Sequence, residues 1–258
     1  MLAIYKRELK SYLTSMVGYL FMFFVLLIAG IYFSAYQLSA AYPKFEYTLS
    51  ALTFVFLISV PILTMRVLAE ERKQKTDQLL LTAPVSVSEI VLGKFLAVAT
   101  VYAIPVLIIC LYPMIMGKYG TVSYAMAYTA VLGFALLGFA QIAVGIFWSS
   151  VTENPVIAAV VTFIVLFVCY MITGIGSLIP DSSMASLACY MLLVLLAAVW
   201  IYHMIRNLWI AAVIGIAGEA ALAITYVVKS TLFEGSIQKF LSVFDITSHF
   251  DNFTNGIL

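Results

Sequence analysis

Two adjacent acids, Glu70 and Glu71, open the longest polar stretch of this sequence, Glu70-Glu71-Arg72-Lys73-Gln74-Lys75-Thr76-Asp77-Gln78. A triple leucine follows, Leu79-Leu80-Leu81, then Thr82-Ala83-Pro84-Val85-Ser86. Paired carboxylates among bases suit either of two tasks: holding protons at a reaction centre, or forming a charged surface for a soluble partner. The first task has little to work with. There is no HExxH zinc motif. The two histidines, His203 and His249, fall on opposite sides of a membrane in the topology argued below. Gly93-Lys94-Phe95 lacks both the first glycine and the hydroxyl of a nucleotide-binding P-loop. One further acid, Glu219, lies deep inside an apolar run, and intramembrane ionisable residues are functional candidates by default. It is placed either to contact a substrate or neighbouring helix, or to pack near Tyr202 or Tyr226.

Everything around the polar stretch reads as membrane. The 258 residues are 64% hydrophobic and 10% charged, against about 25% charged in soluble domains. Apolar runs of about 20 residues are the signature of transmembrane helices. Seven such runs are predicted, over 16–37, 49–68, 95–116, 124–148, 156–178, 187–205 and 208–228. Backbone groups in lipid must be satisfied within the segment, so the expected fold is all-α, a polytopic helix bundle. Pro61, Pro105 and Pro113 fall inside these runs and predict kinks. The first run is too long for a signal-peptide core and reads as a retained span. Cys110, Cys169 and Cys189 are widely spaced and form no CxxC pair, so they fix no redox compartment. A net charge of +1 and the lack of a basic patch with aromatics argue against nucleic-acid partners.

Lysines and arginines set the orientation. With the N-terminus cytoplasmic, nine lie inside (Lys6, Arg7, Lys10, Arg66, Arg72, Lys73, Lys75, Lys94, Arg206) and four outside (Lys44, Lys118, Lys229, Lys239). The polar stretch and the Ser149–Pro155 turn, with Glu153 and Asn154, are then cytoplasmic. Leu2, Tyr5, Leu9 and Tyr12 recur at helical spacing and predict an amphipathic helix lying in the cytoplasmic interface. Near the other end, Phe233, Ile237, Phe240, Leu241 and Phe244 form an apolar helical stripe. This stripe suits a helix on the outer membrane surface or one packed on a neighbouring loop.

Within the polar stretch, residues from Leu68 to about Lys75 are predicted to continue the second span into water, with Glu71 and Lys75 an i, i+4 pair. Thr82-Ala83-Pro84 breaks the helix. Ser86 or Ser88 can cap a new short helix, and Ser86 with Glu89 has capping-box spacing. A triple leucine and capping signals predict a small structured protrusion with something docked on it, rather than a bare loop.

The pattern Glu70-Glu71-x4-Thr76-x2-Leu79-Leu80-Leu81-Thr82-Ala83-Pro84-Val85-Ser86-x2-Glu89-Ile90-Val91-Leu92-Gly93-Lys94-Phe95 resembles the signature region of ABC-2 type transporter permeases. It is most similar to their gliding-motility-associated and copper-processing branch. Lys6-Arg7-Glu8-Leu9-Lys10-Ser11-Tyr12 resembles the family's elbow helix, and Ser149-Ser150-Val151-Thr152-Glu153-Asn154 its turn after the fourth span. Phe244 to Gly256 resembles the stretch before that branch's last span. The resemblance implies a single permease domain over 1–258 in the cell membrane, part of an exporter. It implies a separate ABC ATPase carrying ATP and magnesium, with no cofactor or metal on this chain. A second permease copy or paralogue would complete the pore. For ATPase coupling it implies Glu70, Glu71, Arg72 and Thr76 as a charged flank, and Leu79, Leu80, Pro84, Val85 and Glu89 as the docking element. The branch usually has six spans and continues into a final span and a basic tail. An extra pair at 187–228 and a further span, beyond residue 258 or from a partner, are therefore expected.

Two rivals stand beside this. A non-transporting membrane subunit would transmit ATPase strokes to an external partner through the same coupling element. An intramembrane protease of the EExxxR type would need an arginine where Lys75 stands.

Overall fold

A computed structural model describes residues 1–76, 85–205, 207–243, 245, 250, 253 and 254. The described residues are helical, without strands, as the apolar runs require. They divide into two compact units, Met1–Val168 with Ile246–Leu258, and Cys169–Asp245.

In the first unit, α1 (Leu2–Thr14) turns sharply at Ser15 into α2 (Met16–Phe33), which ends in a π-helical turn, Ser34–Ser39. Gly18 permits the turn, because a Cβ there would collide with the Tyr12 carbonyl. Next come α3 (Glu46–Thr64), α4 (Ala69–Lys73), α5 (Val87–Ile109), α6 (Tyr112–Met116), α7 (Tyr124–Val151) and α8 (Pro155–Leu178), the last running into the second unit. Among the described residues five helical runs are long and apolar enough to cross a membrane: Met16–Ser39, Glu46–Lys73, Val87–Met116, Tyr124–Val151 and Pro155–Ile172. Phe23, Leu27 and Ile31 on α2 and Phe147 on α7 remain exposed, as lipid-facing residues should.

The second span lies deepest, packed on α2 and α7. Leu49, Leu52, Phe56, Val60 and Leu63 are fully enclosed. On α7, glycines admit neighbours closely: a Cβ at Gly138 would overlap the Tyr102 ring, and one at Gly145 would overlap Thr64. Tyr102 also donates its hydroxyl to the Phe134 carbonyl at 2.7 Å and stacks edge-on to Phe56.

The second unit holds α9 (Ser183–Ile205), α10 (Leu208–Val228), a 3-10 turn (Ser230–Phe233) and α11 (Ser236–Ser242). The runs expected as spans over 187–205 and 208–228 are helical, as α9 and α10; Ser183–Val199 is a shorter apolar helix, and Ala212–Val228 reaches span length only together with Ser230–Ser242. The chain bends by 116° between 212–228 and 230–242, with Gly235 in the left-handed region at φ 62°. Of the predicted C-terminal stripe, Phe233 and Ile237 are buried and Phe240 is exposed; Phe244 lies outside the described residues. Gln238 donates to the Ile179 carbonyl and Tyr190 shares a hydrogen bond with Ser236, so this segment is packed on a neighbouring loop and helix.

Two expectations are corrected. The helix capped at Ser86 is not short but runs unbroken through 23 residues into the third span, so that span begins near Val87, not residue 95. Pro105 lies within it without ending it. Glu71 does not pair with Lys75. Helix α4 ends at Lys73, and Lys75 takes φ 57° outside it. On α1, Tyr12 of the predicted stripe is buried and Leu9 packs on the core, while Leu2 is exposed; Ile4 is buried as well. Ile4 packs on α5, where a Cβ on Gly93 would lie 3.3 Å from it.

Candidate functional site

The second span does not leave the bundle as a regular helix. Its hydrogen bonding loosens over Met65–Leu68, between α3 and α4. Such a break exposes carbonyls and N–H groups that must be satisfied if buried. Side chains from three other helices do this. Tyr12 of α1 donates to the Leu63 carbonyl at 3.0 Å. Ser149 of α7 donates to the Met65 carbonyl at 3.1 Å and accepts from the N–H groups of Leu68 and Ala69, each at 3.1 Å. It thereby caps α4, whose own N-cap residue, Leu68, makes no side-chain cap bond. Lys94 of α5 donates to the Val67 carbonyl at 2.9 Å.

Lys94 is 1% exposed, and a buried ammonium needs partners for all three of its donors. It also donates to Glu8 Oε1 at 3.1 Å and forms an ion pair with Glu71 Oε1 at 2.9 Å. Arg7 Nη2 contacts the same two oxygens, at 2.6 and 2.7 Å. The result is a closed ring of alternating charge: Lys94, Glu8, Arg7, Glu71. It fastens α1, the α3–α4 joint and α5 together. The Glu8 hydrogen bond is the main reason the Arg7 guanidinium pKa is raised. Burial pushes the Tyr12 hydroxyl up, so it stays protonated and able to donate.

Beyond the ring, α4 closes with paired bonds: Thr76 N–H to the Glu71 carbonyl and Lys75 N–H to the Arg72 carbonyl, each 3.0 Å. This is a Schellman cap with lysine in the position that usually holds glycine. The described residues resume at Val85. Ser86 and Glu89 form the predicted capping box, with Glu89 N–H to Ser86 Oγ at 3.3 Å and Ser86 N–H to Glu89 Oε2 at 3.3 Å.

The sequence-predicted residues thus separate. Glu71 enters the ring, Thr76 closes α4 and Glu89 caps α5. Glu70 lies 3.8 Å from Arg66 at the surface, a pair worth little. Arg72 is exposed and Val85 partly so. Leu79, Leu80 and Pro84 lie outside the described residues. Glu153 and Asn154 are exposed, and Asn154 Oδ1 accepts from Val156 N–H at 3.0 Å, capping α8 ahead of Pro155. Glu219 lies in the second unit, half-buried. Sequence reasoning missed Arg7, Glu8, Tyr12, Lys94 and Ser149 as parts of the site. The available signal was Lys94 itself, a cation amid Ile90-Val91-Leu92-Gly93 and Phe95-Leu96-Ala97, which must pair or snorkel.

Among the described residues no group of three or more His, Cys, Asp or Glu is placed to hold a metal. The arrangement is a mechanical junction: a charged node that joins one end of four helices to the segment beyond Thr76. A family model described as "ABC-2 family transporter protein" matches residues 29–233. It takes in the joint, Lys94 and the Ser149 turn, and leaves α1 outside. No curated protein and no solved structure matches.

Proposed function

Since this chain belongs to the ABC-2 family of transporter proteins and is a multi-pass permease subunit of an ABC transporter, we propose that a separate ATPase drives it by docking on the segment between the second and third spans. In this reading the node end of the bundle is cytoplasmic, the membrane is the plasma membrane and the complex is an exporter. ATP and magnesium are held by the ATPase, and a second permease copy or paralogue completes the pore. Glu70, Arg72 and Val85 face the ATPase, while Leu79, Leu80 and Pro84 form its seat. The resemblance of the motif from Glu70 to Phe95 supports membership of the gliding-motility-associated and copper-processing branch.

One observation carries the reading: the Lys94 ring. A push on 77–84 reaches α4 on one side and α5 on the other. The ring ties both to α1, so the push moves a three-helix unit rather than bending a loop. Ser149 adds α7 to the same unit.

The test is co-purification with the ABC ATPase encoded beside its gene, followed by measurement of ATP turnover. The native chain is expected to retain the ATPase and raise its turnover. Replacing Leu79, Leu80 and Glu89 together with alanine should abolish both effects. Equal retention by the two chains would refute docking at this segment.

A further inference from the structure

The second unit contains a feature that coupling does not use. A groove of about 800 Å³ runs between α9 and α10, within the size range of small-molecule sites. Leu195, Val199 and Tyr202 line it from α9, and Gly215, Ile216 and Glu219 from α10. The two helices close up along one side, where a Cβ on Gly218 would lie 2.8 Å from Val194 and one on Gly215 3.1 Å from Ala198. The groove opens alongside that seam.

Its walls are apolar, and Glu219 is the sole charged group among the described lining residues. Glu219 lies mid-way along α10, about 16 Å from the helix start at 1.5 Å per residue. It makes no hydrogen bond or ion pair among the described residues. A carboxylate facing such apolar walls is costly unless something neutralises it. A small hydrated cation would need several oxygen ligands to replace its water, and the groove offers one carboxylate. A cation with its charge spread over an apolar body needs no such shell. Its surface suits the aliphatic walls, its charge suits Glu219, and the Tyr202 ring offers a cation–π face.

We propose that this groove is a binding site for lipophilic organic cations, with Glu219 as their counter-charge. As a substrate site it rests on the transporter reading, but binding needs no ATPase and can be measured alone. The probe is tetraphenylphosphonium, added to the purified full chain in lipid nanodiscs and followed by equilibrium dialysis. Glu219→Gln should weaken binding at least about tenfold, while Glu219→Asp, which keeps the charge, should stay within about threefold of the parent. The neutral triphenylphosphine oxide should bind at least about tenfold more weakly than the cation. Should E219Q fail to fold, the cation-to-neutral ratio on the native chain still decides. Equal binding by E219Q, or equal binding of the neutral compound, overturns the proposal. So does a change of oligomeric state in E219Q, which would mean that the groove seats another helix. Failure of the ATPase experiment with cation binding intact would sink the transporter reading alone.

Discussion

At the scale of single residues, Lys94 decides how the site holds together. Its ammonium is enclosed, donates to Glu8 and the Val67 carbonyl, and pairs with Glu71. A buried ion pair adds little net stability over an apolar replacement, but removing one partner strands the others. Lys94→Ala leaves two carboxylates sharing one side of Arg7 and an unmet carbonyl at Val67. We expect a loss of about 3–5 kcal/mol, from the cost of breaking buried pairs. Lys6→Ala, which removes an exposed charge next to Arg7 that makes no ion pair in the ring, should stay within about 0.5 kcal/mol. Thermal unfolding of the two variants in the same detergent checks this, and equal melting points would count against the ring. Ser149 is a quieter instance of the same logic. One hydroxyl satisfies two N–H groups and one carbonyl at a break that no local cap serves.

At the scale of elements, what the sequence made legible was local. Apolar run length located the helices because lipid demands internal hydrogen bonding along each segment. The Ser86–Glu89 box was readable because its two partners lie three residues apart. The ring was not readable, since its members come from 7, 8, 71 and 94 and meet only once α1 lies along α5. The same holds for Ile4, which lies outside the predicted stripe of α1 and is buried against α5 beside Gly93. Helix–helix contacts in membranes depend on small residues that let backbones approach, and Gly138 is the clearest case. Gly138→Ala would force the Tyr102 ring aside and break its bond to the Phe134 carbonyl. Overpacking costs about 1–3 kcal/mol, and the orphaned hydroxyl adds about 1–3 kcal/mol more. Tyr102→Phe in the same chain should recover part of the loss, because neighbouring changes are not additive. A double variant no more stable than Gly138→Ala would refute the link between the hydroxyl and the glycine.

At the scale of the whole molecule, the contacts of the first unit fix which loops share an end of the bundle. Arg7 and Glu8 precede the first span, Glu71 follows the second, Lys94 opens the third and Ser149 closes the fourth. All of them meet at the joint after α3, so each pair of crossings returns the chain to one end. The other end holds the π-helical turn and the loops 40–45 and 117–123, where Gln37 donates to the Lys44 carbonyl and accepts from Thr48. Lysines and arginines crowd the node end, whereas Lys44 and Lys118 are the basic residues in the loops opposite. The positive-inside bias supports the proposed cytoplasmic placement of the node, the side on which an ATPase would have to dock. Side-specific labelling tests this. With Cys110, Cys169 and Cys189 replaced by alanine, a membrane-impermeant maleimide added to intact cells should label Lys44→Cys and Lys118→Cys. Lys10→Cys and Lys75→Cys, both exposed at the node end, should react only after permeabilisation. Reversal of that pattern would put the node outside and remove the docking surface from the ATPase's reach. Labelling of Lys10→Cys and Lys44→Cys from one side would contradict the bundle itself, because a single crossing separates them.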